Sequence, residues 1–218
     1  MYSMQGIVRK SVSNVTTQFE KLGYVANNLA NMNTKGYKTV TFEQMLNEDG
    51  YLTGAIRTET RQGSIQVTSN PYDVAIDGTG YIPVVSPEGE VAYTRDGAFK
   101  QGKDGYLVTT DDWIVGEGIK IPANCYKFEI KPNGEVYSYD AANTKPKKLG
   151  TIPLVRFASQ ENLEQRGMNK LVATADSGDS MLVRNHNCFC QNNIENSNTN
   201  IYSSTSDMLR LNASLLAS

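Results

Sequence analysis

The chain has 218 residues, enough for one large or two small domains, and its 39% hydrophobic and 20% charged residues are typical of a globular protein. Its net charge of −2 at pH 7 gives no reason to expect a nucleic acid or an acidic membrane surface as partner. The sequence has no run of about 18 apolar residues, so we expect no membrane insertion. Its first residues lack the basic-then-apolar pattern of a cleavable secretion signal.

Apolar residues near the N-terminus recur with steps of four and three, which is the heptad spacing of a coiled coil. We call them the N-terminal stripe: Val8, Val12, Val15, Phe19, Leu22, Ala26 and Leu29. The pattern predicts a helix with Ser3 as its N-cap that runs to about Asn31. Asn33 and Gly36 end it, because both tolerate the left-handed backbone. Such a narrow stripe needs a partner, either the other end of the chain or another copy.

We interpret 37–62 as a connector. It contains a short amphipathic stretch from Phe42 to Leu46, and its residues from about 47 to 62 look irregular and polar. From Gly63 the apolar period changes to two, and turn signals such as Asn133-Gly134 arrive at short intervals. Many short strands joined by tight turns predict an antiparallel all-β domain over 63–191. Because helices bracket this domain, the predicted fold class is α+β, with the two terminal helices forming a coiled-coil layer.

The last segment, 192–218, predicts a second helix in which Ile194 starts a further heptad pattern. We call its later members the C-terminal stripe: Ile201, Met208, Leu211 and Leu215. Asn198 is the expected N-cap, and Asn192 with Glu195 is an alternative, earlier capping box. The N-terminal stripe apart from Ala26 should pack against the C-terminal stripe, within or between subunits. The N-terminal helical segment spans 1–36. We expect its end, and its junction with the connector, to be shaped by Asn27, Asn28, Asn31, Asn33 and Gly36.

Residues suited to catalysis or metal binding are few. His186 is the single histidine, and Cys188 and Cys190 lie two and four residues from it, whereas catalytic groups normally converge from distant segments. With Cys125 as the only other thiol, this cluster falls short of the two spaced ligand pairs that zinc usually takes. We therefore expect no catalytic residue, no metal and no cofactor.

Five segments, in chain order, resemble bacterial flagellar axial proteins, which are the rod, hook and hook-associated subunits. They are ANNLANMNTKGYK (26–38), GSIQVTSNPYDVAIDGTGY (63–81), AYTRDGAFKQGKDGYLVT (92–109), GTIPLVRFASQENLEQRGMNKLVAT (150–174) and IENSNTNI (194–201). The third segment, 92–109, is close to the form that this segment has in rod proteins. The modest length of the chain points to a rod protein of the distal or proximal type.

This resemblance implies that the terminal helices pair as an inner coiled-coil layer around a central channel, with the β domain outside. It implies a structural, non-enzymatic subunit of the flagellar basal-body rod that polymerises helically into a hollow, torque-transmitting shaft across the periplasm. Copies of itself and other flagellar rod and hook proteins are the implied partners. Export through the flagellar type III apparatus is also implied. Phe42 and Leu46 match the family's export signal, a Phe followed four residues later by an apolar residue.

Three alternatives stay open. The first, within the same family, is that the chain is a hook or other hook–basal-body axial subunit. A secreted β-rich enzyme would require convergent catalytic groups and would depend on His186. An adhesion module with a helical stalk would form a discrete small oligomer, whereas a rod subunit forms open-ended stacks.

Overall fold

The structure is a computed structural model that describes residues 4–46, 48, 51–141, 143–167 and 169–217. Within them the chain forms two α-helices, α1 (Met4–Ala30) and α2 (Ile201–Ala217), eighteen β-strands and a 3-10 helix at Gln160–Asn162. The strands are β1 (Val40–Leu46), β2 (Leu52–Thr58), β3 (Ile65–Val67), β4 (Val74–Ile76), β5 (Ile82–Val85), β6 (Val91–Thr94), β7 (Lys100–Gln101), β8 (Leu107–Val108), β9 (Ile114–Val115), β10 (Cys125–Ile130), β11 (Glu135–Asp140), β12 (Asn143–Thr151), β13 (Val155–Arg156), β14 (Glu164–Arg166), β15 (Lys170–Val172), β16 (Met181–Leu182), β17 (Phe189–Gln191) and β18 (Asn193–Glu195).

Strands β3 to β18 make up what we call the β body. Its largest sheet has seven strands in the order β14-β15-β6-β5-β9-β8-β7, and β10, β11 and β12 form a second sheet. Each strand pair in the described residues is antiparallel. The main buried cluster draws on both sheets, with Val84 and Leu107 from the larger one and Phe128 and Val136 from the smaller. The predicted α+β class with a mainly antiparallel body is therefore confirmed.

The predicted turn at Asn133-Gly134 is present between β10 and β11. The N–H of Gly134 donates to the carbonyl oxygen of Lys131 at 2.8 Å, and the N–H of Lys131 donates to that of Glu135 at 2.8 Å. Gly134 has a φ of +83°, and a Cβ there would lie 2.5 Å from the carbonyl oxygen of Ile152. Both the left-handed backbone and the crowding require glycine.

Both termini of the described chain are helical, as predicted, and α1 and α2 contact each other. Neither helix has an apolar stretch that would carry it across a membrane. The predicted N-cap Ser3 lies outside the described residues.

The prediction of irregular structure from about residue 47 to 62 was wrong for Leu52–Thr58, because β2 pairs with β1 as a hairpin from Val40↔Thr58 to Leu46↔Leu52. The hairpin lies along α1. Tyr24 of α1 stacks on Phe42 with ring centroids 5.5 Å apart, and Lys10 Nζ lies 5.5 Å from the centre of the Tyr51 ring. Contacts with the helix thus stabilise strands whose polar sequence shows no strong alternation.

The start of the second helix was also placed wrongly. Ile194 is buried in β18, which pairs with β3, and the helix begins only at Ile201. The N-cap is Asn200, whose Oδ1 accepts from the N–H groups of Tyr202 and Ser203 at 2.9 and 3.3 Å. The side chains of Asn198 and Glu195 are used instead at the junction between the helices and the β body.

Candidate functional site

The N-terminal stripe faces largely outward. Val8, Val12 and Phe19 are 55%, 60% and 58% exposed, whereas Val15, Leu22 and Leu29 are half-buried. Among the described side chains of α1, the buried ones are Thr17, Val25 and Asn28. At about 100° per residue, Val12 and Phe19 lie on the opposite side of α1 from Thr17 and Asn28. The fold therefore covers a face of α1 that is partly polar and leaves much of its apolar stripe uncovered.

The C-terminal stripe has a different orientation. Leu211 is buried and Met208 half-buried, whereas Ile201 is exposed, and the side chain of Leu215 lies outside the described part of the chain. Tyr202 and Leu209, seven residues apart, are 87% and 65% exposed. The heptad frame set by Ile194 does not include this second apolar pair. Each helix thus presents apolar side chains to solvent.

Asparagines in the last turn of α1 and just after it join the helix to the hairpin. The Asn28 side chain is hydrogen-bonded to the backbone of Val40 and accepts from the Tyr37 hydroxyl at 2.9 Å. Asn31 Nδ2 donates to the carbonyl oxygen of Asn27 at 2.9 Å. Asn33 lies exposed in the turn that ends the helix. Asn27, Asn28 and Asn31 thus organise the helix end through hydrogen bonds within the chain.

Gly36 brings this turn against the β body. Its φ is +66°, and a Cβ at this position would lie 2.3 Å from the backbone nitrogen of Asp96 and 2.5 Å from the carbonyl carbon of Arg95. Its N–H donates to the carbonyl oxygen of Glu195 at 2.9 Å. Only glycine satisfies both the left-handed backbone and this approach.

Beneath Gly36 lies a buried group of three charges, which we call the junction cluster: Lys38, Arg95 and Glu195. Lys38 Nζ lies 2.7 Å from Glu195 Oε1, and Arg95 Nε lies 2.6 Å from Glu195 Oε2. The two remaining Arg95 nitrogens donate to the carbonyl oxygens of Gly80 and Ile76 at 2.7 and 3.0 Å. Burial lowers the pKa of Lys38, and the Glu195 carboxylate works against that shift.

Phe42, the first residue of the predicted export signal, is half-buried in β1. Its ring lies on Tyr24 and over Gly54, where a Cβ would come within 1.9 Å of Phe42 Cζ. Leu46 ends β1 opposite Leu52, and its side chain is outside the described part. In the folded chain Phe42 therefore has a packing role.

The histidine and cysteines form no activated centre. Cys188 Sγ lies 3.7 Å from His186 Nδ1, but burial raises the pKa of Cys188 and lowers that of His186, which favours the neutral form of both. Activated cysteines instead have a lowered pKa. Among the described residues, no three His, Cys, Asp or Glu side chains are placed to hold a metal ion.

Two family models match the chain. Residues 75–138 match the flagellar hook protein FlgE/F/G D1 domain, and residues 16–38 match the flagella basal body rod protein model. The first match covers much of the β body. The second covers the end of α1 and the turn that reaches the junction cluster.

Curated relatives extend these matches. The chain is 32% identical over 201 residues to the flagellar basal-body rod protein FlgG of Caulobacter vibrioides, which covers 81% of this chain and 77% of that protein. It is 34% identical to FlgG of Bacillus subtilis, over 72% of this chain and 69% of that protein. The flagellar hook protein FlgE of Brucella abortus is 36% identical, but over only 53% of this chain and 32% of the hook protein. The chain therefore belongs to the family of flagellar basal-body rod proteins.

Proposed function

We propose that the chain is a structural subunit of the flagellar basal-body rod that polymerises helically into a hollow, torque-transmitting shaft. The observation that carries this proposal is the exposed apolar face of α1 in a chain that aligns with rod proteins over most of its length. In the polymer, α1 and α2 of neighbouring copies form the inner coiled-coil layer, and the β body lies outside it.

The exposed part of the N-terminal stripe is the main contact in this arrangement. Burying a valine or phenylalanine side chain contributes about 1.5–3 kcal/mol before the costs of association are subtracted. Val8, Val12 and Phe19 recur along one side of α1 over three turns, so one neighbouring helix would cover all three. Tyr202 and Leu209 offer a second strip for the next copy.

The subunit's partners are copies of itself and other flagellar rod and hook proteins, and its location is the basal-body rod across the periplasm. It reaches that place through the flagellar type III apparatus, which recognises Phe42 and Leu46 in the unfolded chain. A hook subunit is the weaker assignment, because the hook relative shares only half of this chain and a third of its own length.

Electron microscopy of isolated basal bodies tests the proposal. In a strain that lacks this subunit we expect the shaft to stop short of its full length, and the wild-type chain supplied in trans to restore it. Full-length rods in the deletion strain would contradict the proposal.

Purified protein provides a second test. Light scattering should show open-ended growth with concentration, whereas a fixed small oligomer would favour an adhesion module. Loss of function in a His186→Ala variant that folds and assembles normally would favour an enzyme.

A further inference from the structure

Three segments connect the two helices and the β1–β2 hairpin to the β body, and all three meet at the junction cluster. They are residues 36–39 after α1, residues 59–64 between β2 and β3, and residues 195–200 before α2. Glu195 contacts the first two directly. Its Oε1 accepts from Lys38 Nζ and from the N–H of Gly63 at 2.7 and 2.9 Å, and its carbonyl oxygen accepts from Gly36.

Asn198 ties the same segments a second time. Its Oδ1 accepts from the N–H of Thr39 at 2.7 Å, and its Nδ2 donates to the carbonyl oxygens of Glu59 and Arg61 at 3.1 and 2.9 Å. Lys38 Nζ also donates to the carbonyl oxygen of Arg61 at 2.8 Å. Each connecting segment is therefore bonded to the other two, and none of them is a free linker.

Arg95 binds these three connecting segments to the β body. Its guanidinium binds Glu195 on one side and the carbonyl oxygens of Ile76 and Gly80 on the other. The side chains of Lys38, Arg95 and Glu195 are 2%, 4% and 0% exposed. Apolar residues of similar volume are often at least as stabilising as a buried ion pair, so added stability does not account for this cluster. What its hydrogen bonds supply here is direction, because each one joins two specified atoms of different segments.

We propose that the junction cluster is a rigid coupling that holds the two helices at one orientation to the β body, with Glu195 as its positioning residue. The use of this coupling to carry torque from the inner helices to the outer body rests on the proposed function. The fixed orientation itself does not, and it can be measured in the unpolymerised chain.

Lys38→Met is the sharpest variant. It removes the ammonium group that binds the segment after α1 to Glu195, keeps most of the length of the side chain, and leaves Arg95 and Glu195 as a neutral pair. Lys170→Met is the matched control. Lys170 is also a buried lysine, paired with Asp111, but both residues lie within the β body.

Distance distributions from pulsed electron paramagnetic resonance report the orientation. Spin labels at Glu20 on α1 and Tyr126 on β10, both exposed, are introduced through a noncanonical amino acid. We expect a narrow distribution for the parent chain and for Lys170→Met, and at least a twofold broadening for Lys38→Met. A parent distribution as broad as that of Lys38→Met, or equal broadening by Lys170→Met, would overturn the proposal.

Hydrogen exchange in the unmodified chain gives an answer even if Lys38→Met fails to fold. The N–H groups of Gly36 and Gly63, which donate to Glu195, should exchange as slowly as that of Tyr81, which donates to Val155 within the β body. Exchange at Gly36 and Gly63 more than about tenfold faster than at Tyr81 would mean that the junction opens locally and is not rigid. A chain that shows this protection yet never polymerises would refute the proposed function and leave the coupling intact.

Discussion

The side-chain amide of Asn28 and the backbone of Val40 form two hydrogen bonds, with the Val40 N–H donating to Oδ1 at 2.9 Å and Nδ2 donating to the Val40 carbonyl oxygen at 2.7 Å. The buried amide thus satisfies both backbone groups of the first residue of the hairpin, as a neighbouring strand would. This contact fixes the point where the chain turns back from α1 into β1.

Asn28→Ala should destabilise the chain by about 2–4 kcal/mol, because it leaves both backbone groups of Val40 buried without a partner. Asn27→Ala is the control. Asn27 is exposed; it donates to the Tyr37 hydroxyl at 3.3 Å and accepts from Asn31 Nδ2 at 3.1 Å. Asn31 Nδ2 keeps its bond to the carbonyl oxygen of residue 27, so we expect a loss below about 1 kcal/mol. Urea denaturation followed by circular dichroism measures both values, and equal losses would show that the pairing with Val40 is not special.

Gly36→Ala should destabilise the chain by more than the ~1–2 kcal/mol that a left-handed backbone costs an L-residue, because the new Cβ also meets the backbone at Arg95 and Asp96. Gly167→Ala separates the two effects. Gly167 has a similar φ of +71°, but a Cβ there would have open space. The difference in unfolding free energy between the two variants measures the close approach alone, and no difference would contradict it.

The local part of the fold could be read from the sequence. Turn residues such as Asn133-Gly134 and alternating apolar residues mark hairpins whose partners are close in the chain. The β1–β2 hairpin could not be read in this way, because packing of Phe42 on Tyr24 supports it. Ile194 was misplaced because a heptad pattern extended backwards from α2 ignores pairing with β3.

The candidate site could be predicted only in part. The N-terminal stripe follows from spacing, and the resemblance identified the asparagine-rich turn before any contact was known. The junction cluster was not found, since Glu195 lies 157 residues from Lys38 and 100 from Arg95. Charged residues so far apart carry no local signal, and a buried Glu and a solvated Glu look alike in a single sequence.

Replacing both Phe42 and Leu46 with Ala should lower secretion through the flagellar export apparatus, whereas Met45→Ala, an exposed apolar residue on the same strand, should not. Gly54→Val serves as a folding control. The valine side chain would displace the Phe42 ring from its position over residue 54 and should destabilise the hairpin. Because the residues of the export signal are unchanged, secretion should be normal. The assay is the amount of subunit in the culture supernatant, and undiminished secretion of the double variant would remove the signal assignment.

Burial raises the pKa of Asp96 to about 6 from an ordinary value of 3.8. The folded chain therefore binds this proton more tightly than the unfolded chain. The contribution of Asp96 to stability is fully present below about pH 4 and is lost as the pH rises through about 6. At ~1.4 kcal/mol per pKa unit, the loss is at most about 3 kcal/mol.

Asp96→Asn removes the titrating group but keeps an acceptor for the Ala98 N–H, which donates to Asp96 Oδ1 at 2.9 Å. Between pH 4 and 7, the unfolding free energy of the wild type should fall relative to that of the variant. A difference between the two proteins that stays constant over this range would mean that Asp96 is ionised throughout.

The central claim is that copies of the chain associate through the N-terminal stripe, and Val12→Asp tests it most directly. Val12 is 60% exposed, so a charge there should leave the monomer's strand circular dichroism and unfolding midpoint unchanged. Val67→Asp, at a 78% exposed valine of β3, is the matched control. The account predicts that light scattering shows concentration-dependent polymers for the wild type and Val67→Asp, and monomers for Val12→Asp. Normal polymers of Val12→Asp, with a fully folded β body, would contradict it.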